Sequence, residues 1–354
     1  MILHVDLDAF YASAEKARNP ELIGRSLVIG ADPKKGHGRV VAACSYEARK
    51  FGIKSGIPIS RAYKLCPDAV YLRPDFAYYN ALSGEIMNLF RKFTSKLEQA
   101  SIDEAYLDIS DKVSSYDEAE SYVKDIKKAL KADFSLTCSV GVAVNKSIAK
   151  IASDMNKPDG VTIVKDEDSK EFLAPLAVEK ISGVGAKTAE VLQRMGIKTI
   201  GELAKTDGKE LVRIFGKNGV WLWGIANVLE RVEVEEVLER KSISHEFTFQ
   251  KDTDDEKLIR NTVDDLIVKV HKRLINDNLV CKTIGIKIRY QNFTTFIREK
   301  SAPDYTDSKD MISSLTYSLF NEFSEGKKVR LLGIRLSNLK PMEDKQQNLS
   351  AWQK

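Results

Sequence analysis

Residues 1–10, Met1-Ile2-Leu3-His4-Val5-Asp6-Leu7-Asp8-Ala9-Phe10, decide how the first half of the chain is read. Ile2, His4, Asp6 and Asp8 alternate with Leu3, Val5 and Leu7, the period of a β-strand. Downstream, Leu27 to Gly30 is a second short apolar run that ends in a Gly/Pro/Lys loop, and Arg39 to Ala43 reads as a strand running into a helix from Tyr46 to Phe51. Residues 76–97 read as a helix, with Ile86, Leu89, Phe90 and Phe93 three and four apart. A hairpin is expected around residues 101–108, a helix over 117–130 and a strand from Leu136 to Val144. Asn145 is a good N-cap for a helix carrying Ile148, Ile151 and Met155 on one face and stopped by Pro158. Strands and helices thus alternate through the first 165 residues, which predicts a mixed sheet and excludes a helical bundle.

The pattern changes near residue 166. From there to about 230 the sequence shows short helices punctuated by glycine and almost no strand period. Residues 230–239, ERVEVEEVLE, are acidic and poor in turn residues, so they read as an extended linker. From Arg240 to Lys340 the order is strand, helix, strand, strand, helix, strand. Such a βαββαβ order closes a four-stranded antiparallel sheet with both helices on one face. Residues 342–354 read as a polar tail.

At 354 residues the chain has room for two to four domains, and 43% apolar with 30% charged residues is ordinary for a globular protein with real cores. No run of about 18 apolar residues suggests a membrane span, and the first residues lack a signal-peptide layout, so residence in the cytoplasm is expected. Cys44, Cys66, Cys138 and Cys281 lie far apart in no CxxC pair, which argues for buried free thiols. The net charge of +4 is too small to identify a nucleic-acid partner by itself.

Three groups of residues suggest chemistry. Asp6 and Asp8 share one face of the first strand, whereas the adjacent Asp103 and Glu104 can serve one site only at a turn or strand end. Gathered on one sheet edge, these acids would call for a hard cation, most naturally Mg²⁺; the alternative is that they are simply solvated. Tyr46 and Arg49, three apart on a helix, with Lys157 later, could hold a polyphosphate, or be a surface arginine beside a packed tyrosine. Ile181 to Thr188 places Gly183, Gly185 and Lys187 in a tight turn before a helix, the signature of a helix-hairpin-helix that binds DNA phosphate. A plain interhelical turn is the other reading, and the spacing is too short for a P-loop.

Residues 240–340 carry 19 Lys+Arg and 14 Asp+Glu, and Lys287, Arg289, Arg298, Lys300, Arg330 and Arg335 recur at strand spacing, as a face tracking a phosphate backbone would require. A solvated sheet face would look the same. Trp221 and Trp223 lie in an apolar stretch and read as core.

Four stretches, VDLDAFYASAE at 5–15, SYEARKFGIKSGIP at 45–58, SIDEAYLDIS at 101–110 and VGVAVNKSIAKIASDMNKPDG at 140–160, resemble the Y-family DNA polymerases, nearest their DinB branch, DNA polymerase IV and its archaeal relatives. With the hairpin at 181–188 and Arg240 to Ile243, the resemblance covers nearly the whole chain up to about 341. It implies an α+β multidomain right-hand polymerase. Residues 1–10 and 77–165 would be a ferredoxin-like palm, 11–76 small fingers, 166–230 a helix-hairpin-helix thumb, 231–239 a linker and 240–341 a βαββαβ little finger.

By the same resemblance, Asp6, Asp103 and Glu104 are the catalytic carboxylates, holding two Mg²⁺ together with the backbone carbonyl of Leu7. Asp8 supports the site. Tyr11 is the steric gate against a ribose 2′-OH, Tyr46, Arg49 and Lys157 grip the triphosphate, and Ala42 and Gly56 roof the nascent base pair. Ala9 and Ala43 depart from some relatives, which carry Tyr and Thr there. Primer-template DNA and deoxynucleoside triphosphates are the implied partners, no membrane is involved, and a monomer is expected. The tail segment containing Gln346, Leu349 and Trp352 is similar to peptides that dock on sliding clamps, although Gln353 stands where a second aromatic belongs. The expected activity is low-fidelity DNA synthesis past damaged bases. A nucleotide cyclase would also set paired carboxylates on a palm-like sheet but needs neither hairpin nor tail domain. A DNA-binding scaffold would not need the acids and cations together.

Overall fold

The computed structural model describes residues 1–33, 40–236, 240–323 and 326–342. It divides into unit 1, Met1–Leu238, and unit 2, Glu239–Lys354. Unit 1 holds β1 (Ile2–Leu7), β2 (Leu27–Ile29), β3 (Ala43–Cys44), β4 (Val70–Leu72), β5 (Lys96–Gln99), β6 (Glu104–Asp108), β7 (Cys138–Ala143) and β8 (Val161–Ile163). Five of these form one sheet in the order β5-β6-β1-β7-β8, and the other three a small sheet in the order β3-β2-β4.

The central strand β1 runs antiparallel to β6 and β7, and both of its faces are covered. Leu3, Val5 and Leu7 pack with Ile86 and Phe90 of the helix Phe76–Arg91 and with Val123 and Ile126 of the helix Tyr116–Phe134. Ile2 joins a second core through the helix Lys146–Ser153, where Ile148 and Ile151 are buried, and on to Val178, Leu192, Leu203 and Leu222. Asn145 caps that helix as expected, its side chain accepting from the Ile148 N–H, a cap worth about 1 kcal/mol. The helix backbone lies directly on β7, because a Cβ at Gly141 would come 2.0 Å from the Ala149 carbonyl oxygen. This close approach sets the height of Lys150 over the sheet.

Several expected boundaries move. The helix expected to reach residue 97 ends at Arg91, and Lys96–Gln99 forms β5 instead. Thr94 makes the change: its hydroxyl donates to the Asp108 carbonyl and accepts from the Lys96 N–H, turning the chain into the sheet. The strand expected over 39–43 begins only at Ala43, since Val41 bonds through its backbone to Ile57 and Gly56. The helix from Tyr46 ends at Arg49, ahead of Gly52 in the left-handed region.

Residues 166–230 hold the helices Ala186–Arg194, Ile200–Lys205, Gly208–Phe215 and Lys217–Ala226. Trp221 is not core as expected: it is 36% exposed, and its ring lies against Gly183. Residues 229–236 have no regular structure, but they are pinned down. Val234 is buried, the Glu230 carboxylate accepts from the Ser147 N–H and hydroxyl at 2.9 Å each, and the Glu235 N–H donates to Glu98 at 3.0 Å.

Unit 2 holds β9 (Ser242–Thr253), β10 (Leu279–Tyr290), β11 (Thr295–Thr306) and β12 (Val329–Pro341), with helices Glu256–Asn276 and Lys309–Phe320. The strands form an antiparallel sheet in the order β11-β10-β12-β9. Both helices pack on one core with Ile284, Ile286, Ile288, Leu332, Ile334 and Leu336, the expected βαββαβ arrangement. Register corrects the expectation of one continuous cationic face. Arg298 and Lys300 sit opposite Ile286 and Ile284, on the helix-covered side, and Lys300 donates to Ser318 of a covering helix. Lys287, Arg289 and Arg335 are on the open face, and Arg330 is paired with Asp252.

All four cysteines are free and buried. Among the described residues no helix is long and apolar enough to cross a membrane. Gln346, Leu349 and Trp352 lie outside the described residues.

Candidate active site

The antiparallel register places Asp6 of β1 directly opposite Glu104 of β6, so both carboxylates point from the same face of the sheet, with His4 and Tyr106 one pair further along. Asp103 lies one residue before β6; its carbonyl accepts from the Leu7 N–H, and its carboxylate accepts from the Ser101 hydroxyl at 2.6 Å. The adjacent acids therefore stand at a strand end, as their joint use requires.

Cross-strand carboxylates repel, and two lysines offset the repulsion. Lys157 Nζ is 2.6 Å from Asp6 Oδ2 and 2.7 Å from Asp154, while Lys150 Nζ is 2.6 Å from Glu104 Oε2. Burial pushes the Asp6 carboxyl up to about 7, with Glu104 and Asp103 adding to the rise and Lys157 opposing it. Burial works against the Lys157 ammonium, but Asp154 and Asp6 outweigh it and raise its pKa. Glu104 is held below the usual carboxylate range by its neighbours, the His4 ring at 3.8 Å and the Lys150 ammonium. Burial in turn lowers the pKa of the His4 ring.

An open cavity of about 350 Å³ adjoins this sheet edge. Asp6, Leu7, Asp103, Lys157, Tyr11, Ala42, Tyr46 and Arg49 all line it, residues drawn from β1, the segment before β6, two helices and two loops. Glu104, turned toward Lys150, and Gly56 are not among its lining residues. Ser55 takes the place next to Gly56, which makes a turn at φ +86°.

The Tyr11 ring stacks on Tyr79 at 4.5 Å, and the Tyr79 hydroxyl donates to Glu15 at 2.7 Å, so the ring is backed by a fixed wall. Ala9, in the left-handed region at φ 46°, turns the chain from β1 into the helix Phe10–Arg18 that carries Tyr11. The Arg49 guanidinium lies over the Tyr46 ring at 4.3 Å.

Asp8, expected to support the site, is buried and ties three segments together. Its carboxylate accepts from the Ser139 hydroxyl at 2.8 Å, the Asp159 N–H at 2.9 Å and, more weakly, the Tyr46 hydroxyl at 3.4 Å. Glu47 fixes the short helix Tyr46–Arg49 to the helix Phe10–Arg18 through Lys16, at 2.8 and 2.9 Å. Glu47, His4 and Lys150 were given no role from the sequence, because their partners are set by packing between elements.

Apart from this cavity, Gly183 at φ +96° and Gly185 lead into the helix Ala186–Arg194, with Gly185 at its N-cap and Lys187 exposed in its first turn. Two features agree with a helix-hairpin-helix: exposed backbone at a helix N-terminus and a turn that needs glycine.

Hard carboxylate oxygens from Asp6, Asp103 and Glu104 are the donor chemistry of a divalent cation such as Mg²⁺, and the two ammonium groups seated on Asp6 and Glu104 show where positive charge is wanted. As the side chains stand, no three acidic, His or Cys groups among the described residues converge closely enough to hold a cation. Lys157 and Lys150 each engage one of the facing carboxylates instead.

Residues 5–154 match the impB/mucB/samB family, residues 240–349 its C-terminal domain, and residues 166–197 the helix-hairpin-helix motif of the same family. The DNA polymerase IV of Methanoculleus marisnigri is 45% identical over 96% of this chain and 94% of its own length. That of Clostridioides difficile is 40% identical over 99% and 96%. Among solved structures, a Y-family DNA polymerase chimera of Dbh and Dpo4 superposes with a TM-score of 0.87 at 29% identity, covering 96% of this chain and 99% of that one. The insertion ternary complex of Dbh DNA polymerase gives 0.68 at 29% identity and the same coverage.

Proposed function

This chain belongs to the impB/mucB/samB family of Y-family DNA polymerases and is a low-fidelity, template-directed DNA polymerase of translesion synthesis, and we propose that the cavity edged by Asp6, Asp103 and Lys157 is where it joins nucleotides. Its partners are DNA and deoxynucleoside triphosphates. The observation that carries the assignment is the lining of one cavity by acids, cations and an aromatic wall together.

Asp6, Asp103 and Glu104, with the Leu7 carbonyl, are assigned as the ligands of divalent cations, which we take to be two Mg²⁺. Bound there, the cations would lower the pKa of the primer 3′-OH and neutralise charge on the departing pyrophosphate. Arg49 and Lys157 bring fixed positive charge to the incoming triphosphate, and the Tyr46 hydroxyl adds a donor. Tyr11, backed by Tyr79, fills the space a ribose 2′-OH would need. Ala42 and Gly56 present little side-chain bulk to the nascent base pair. Discrimination then rests mainly on base pairing, in keeping with low fidelity and tolerance of damaged templates.

We assign residues 1–10 and 77–165 as palm, 11–76 as fingers, 166–230 as thumb, 231–239 as linker and 240–341 as little finger. Gly183, Gly185 and Lys187 would hold a DNA phosphate, and Lys287, Arg289 and Arg335 would follow the backbone from the open face of unit 2. The tail carrying Gln346, Leu349 and Trp352 would dock on a sliding clamp. The polymerase would act in the cytoplasm, where it would meet DNA and nucleotides.

Primer extension on undamaged and abasic templates with Mg²⁺, comparing wild type with Asp103→Ala/Glu104→Ala, tests the site. Extension on both templates by the wild type, abolished in the double variant, is expected. Undiminished extension by the double variant would sink the assignment. The cyclase alternative falls with family membership.

A further inference from the structure

We propose that Lys150 is a positioning residue that holds Glu104 away from the cavity in the cation-free enzyme and thereby weakens the uptake of a divalent cation. The proposal deepens the function above and rests on Asp6, Asp103 and Glu104 being the cation ligands.

Asp6 and Glu104 are cross-strand neighbours on one face, yet each is engaged by a different ammonium, Lys157 on Asp6 and Lys150 on Glu104, both at 2.6 Å. Their settings differ. Lys157 lines the cavity and is shared with Asp154. Lys150 stands with Glu104 outside the lining, both side chains 24% exposed.

The surroundings fix Lys150 from behind. Ser153 donates its hydroxyl proton to the Lys150 carbonyl at 2.8 Å, so its oxygen accepts from His4 Nδ1–H, also at 2.8 Å. His4 Nε2 is buried, has no hydrogen-bond partner and lies 3.8 Å from Glu104 Oε2, beyond hydrogen-bond distance. His4 therefore gives Glu104 no hydrogen bond, and the grip on Glu104 falls to the lysine. The close contact of the helix backbone with Gly141 fixes the position from which the Lys150 side chain reaches Glu104.

A cation that gathers Glu104 with Asp6 and Asp103 must draw it against the lysine's attraction, and it meets the ammonium as a like charge. Replacing Lys150 with an uncharged side chain removes both penalties. A scaffold role would act in the opposite sense, loosening the ligands and weakening binding.

The test is Mn²⁺ binding to the full chain without DNA or nucleotide, followed by the electron paramagnetic resonance of free Mn²⁺, with Asp6→Asn as the control. Lys150→Met is expected to bind Mn²⁺ about tenfold more tightly than wild type, and Lys150→Arg, which keeps the charge, to stay within about twofold. Thermal unfolding checks that each variant folds, and Lys150→Gln replaces the methionine variant if that one does not. Unchanged or weaker binding by the uncharged variant, with wild type binding above the control, overturns the proposal alone. Wild type binding no more Mn²⁺ than Asp6→Asn overturns the ligand assignment and the proposal with it.

Discussion

Replacing Asp8 by alanine would take the acceptor from three donors at once, in a part of unit 1 where water cannot readily take its place. The Ser139 hydroxyl is buried, and the Asp159 N–H belongs to the turn that also carries Lys157. The buried Ser139 hydroxyl left unpaired costs about 1–3 kcal/mol, the part-buried N–H of the exposed Asp159 costs less, and the 3.4 Å contact from Tyr46 contributes little. The loss should come to about 3 kcal/mol. At about 2–4 °C per kcal/mol for a unit of this size, that lowers the Tm by about 9 °C. Asp8→Asn is the sharper probe. Its oxygen can still accept from Ser139, but its amide then faces the Asp159 N–H, so about half the loss should remain. Scanning calorimetry reads both variants, and steady-state kinetics should show the KM for the incoming nucleotide rising about tenfold, more than kcat falls, because Tyr46 and the Lys157 turn lose their shared anchor. A Tm for Asp8→Ala within about 2 °C of wild type would refute the reasoning.

Tyr11→Ala should raise ribonucleotide relative to deoxynucleotide incorporation by about 10–200-fold in single-nucleotide insertion assays, and an unchanged ratio removes Tyr11 from the gate. Gly141→Ala would drive a Cβ to 2.0 Å from the Ala149 carbonyl; the helix must lift, costing about 3 kcal/mol in denaturant unfolding, and a wild-type midpoint would contradict the packing. Deleting residues 343–354 should leave clamp-free primer extension intact and abolish its stimulation by a sliding clamp. Stimulation that survives the deletion would place the clamp contact elsewhere.

The strand period of residues 1–8 was legible because the two faces of the strand take different side chains, Leu3, Val5 and Leu7 in the core and His4, Asp6 and Asp8 on the side of the site, and the βαββαβ order of residues 240–340 because each element carries its own apolar period. Boundaries set by a single side chain were not. The end of the helix at Arg91 depends on Thr94 bonding across to Asp108, a partner 14 residues away that no local pattern names. The same limit applies at the site. Asp6 and Asp103 were found through motif and type, yet that Glu104 faces Asp6 follows from strand register, and the engagement of Lys150 follows from how a helix rests on Gly141. The cationic face of unit 2 was misread for a related reason: a spacing of two fixes that Arg298 and Lys300 share a side, but not which side.

The helix Lys146–Ser153 has one further consequence. Its buried residues belong to the same apolar cluster as Leu192, Leu203 and Leu222, so the segment 166–230 has no interior of its own. Unit 2, in contrast, closes a separate core. The chain is therefore unevenly modular. Recombination near residue 239 exchanges a self-sufficient piece, and such grafts should fold whichever relative supplies it. A crossover near residue 165 cuts through a shared interior, and its progeny survive only if both parents fill that space with matching shapes. Lineages of this protein should thus have shuffled their last hundred residues freely while inheriting the rest as a block.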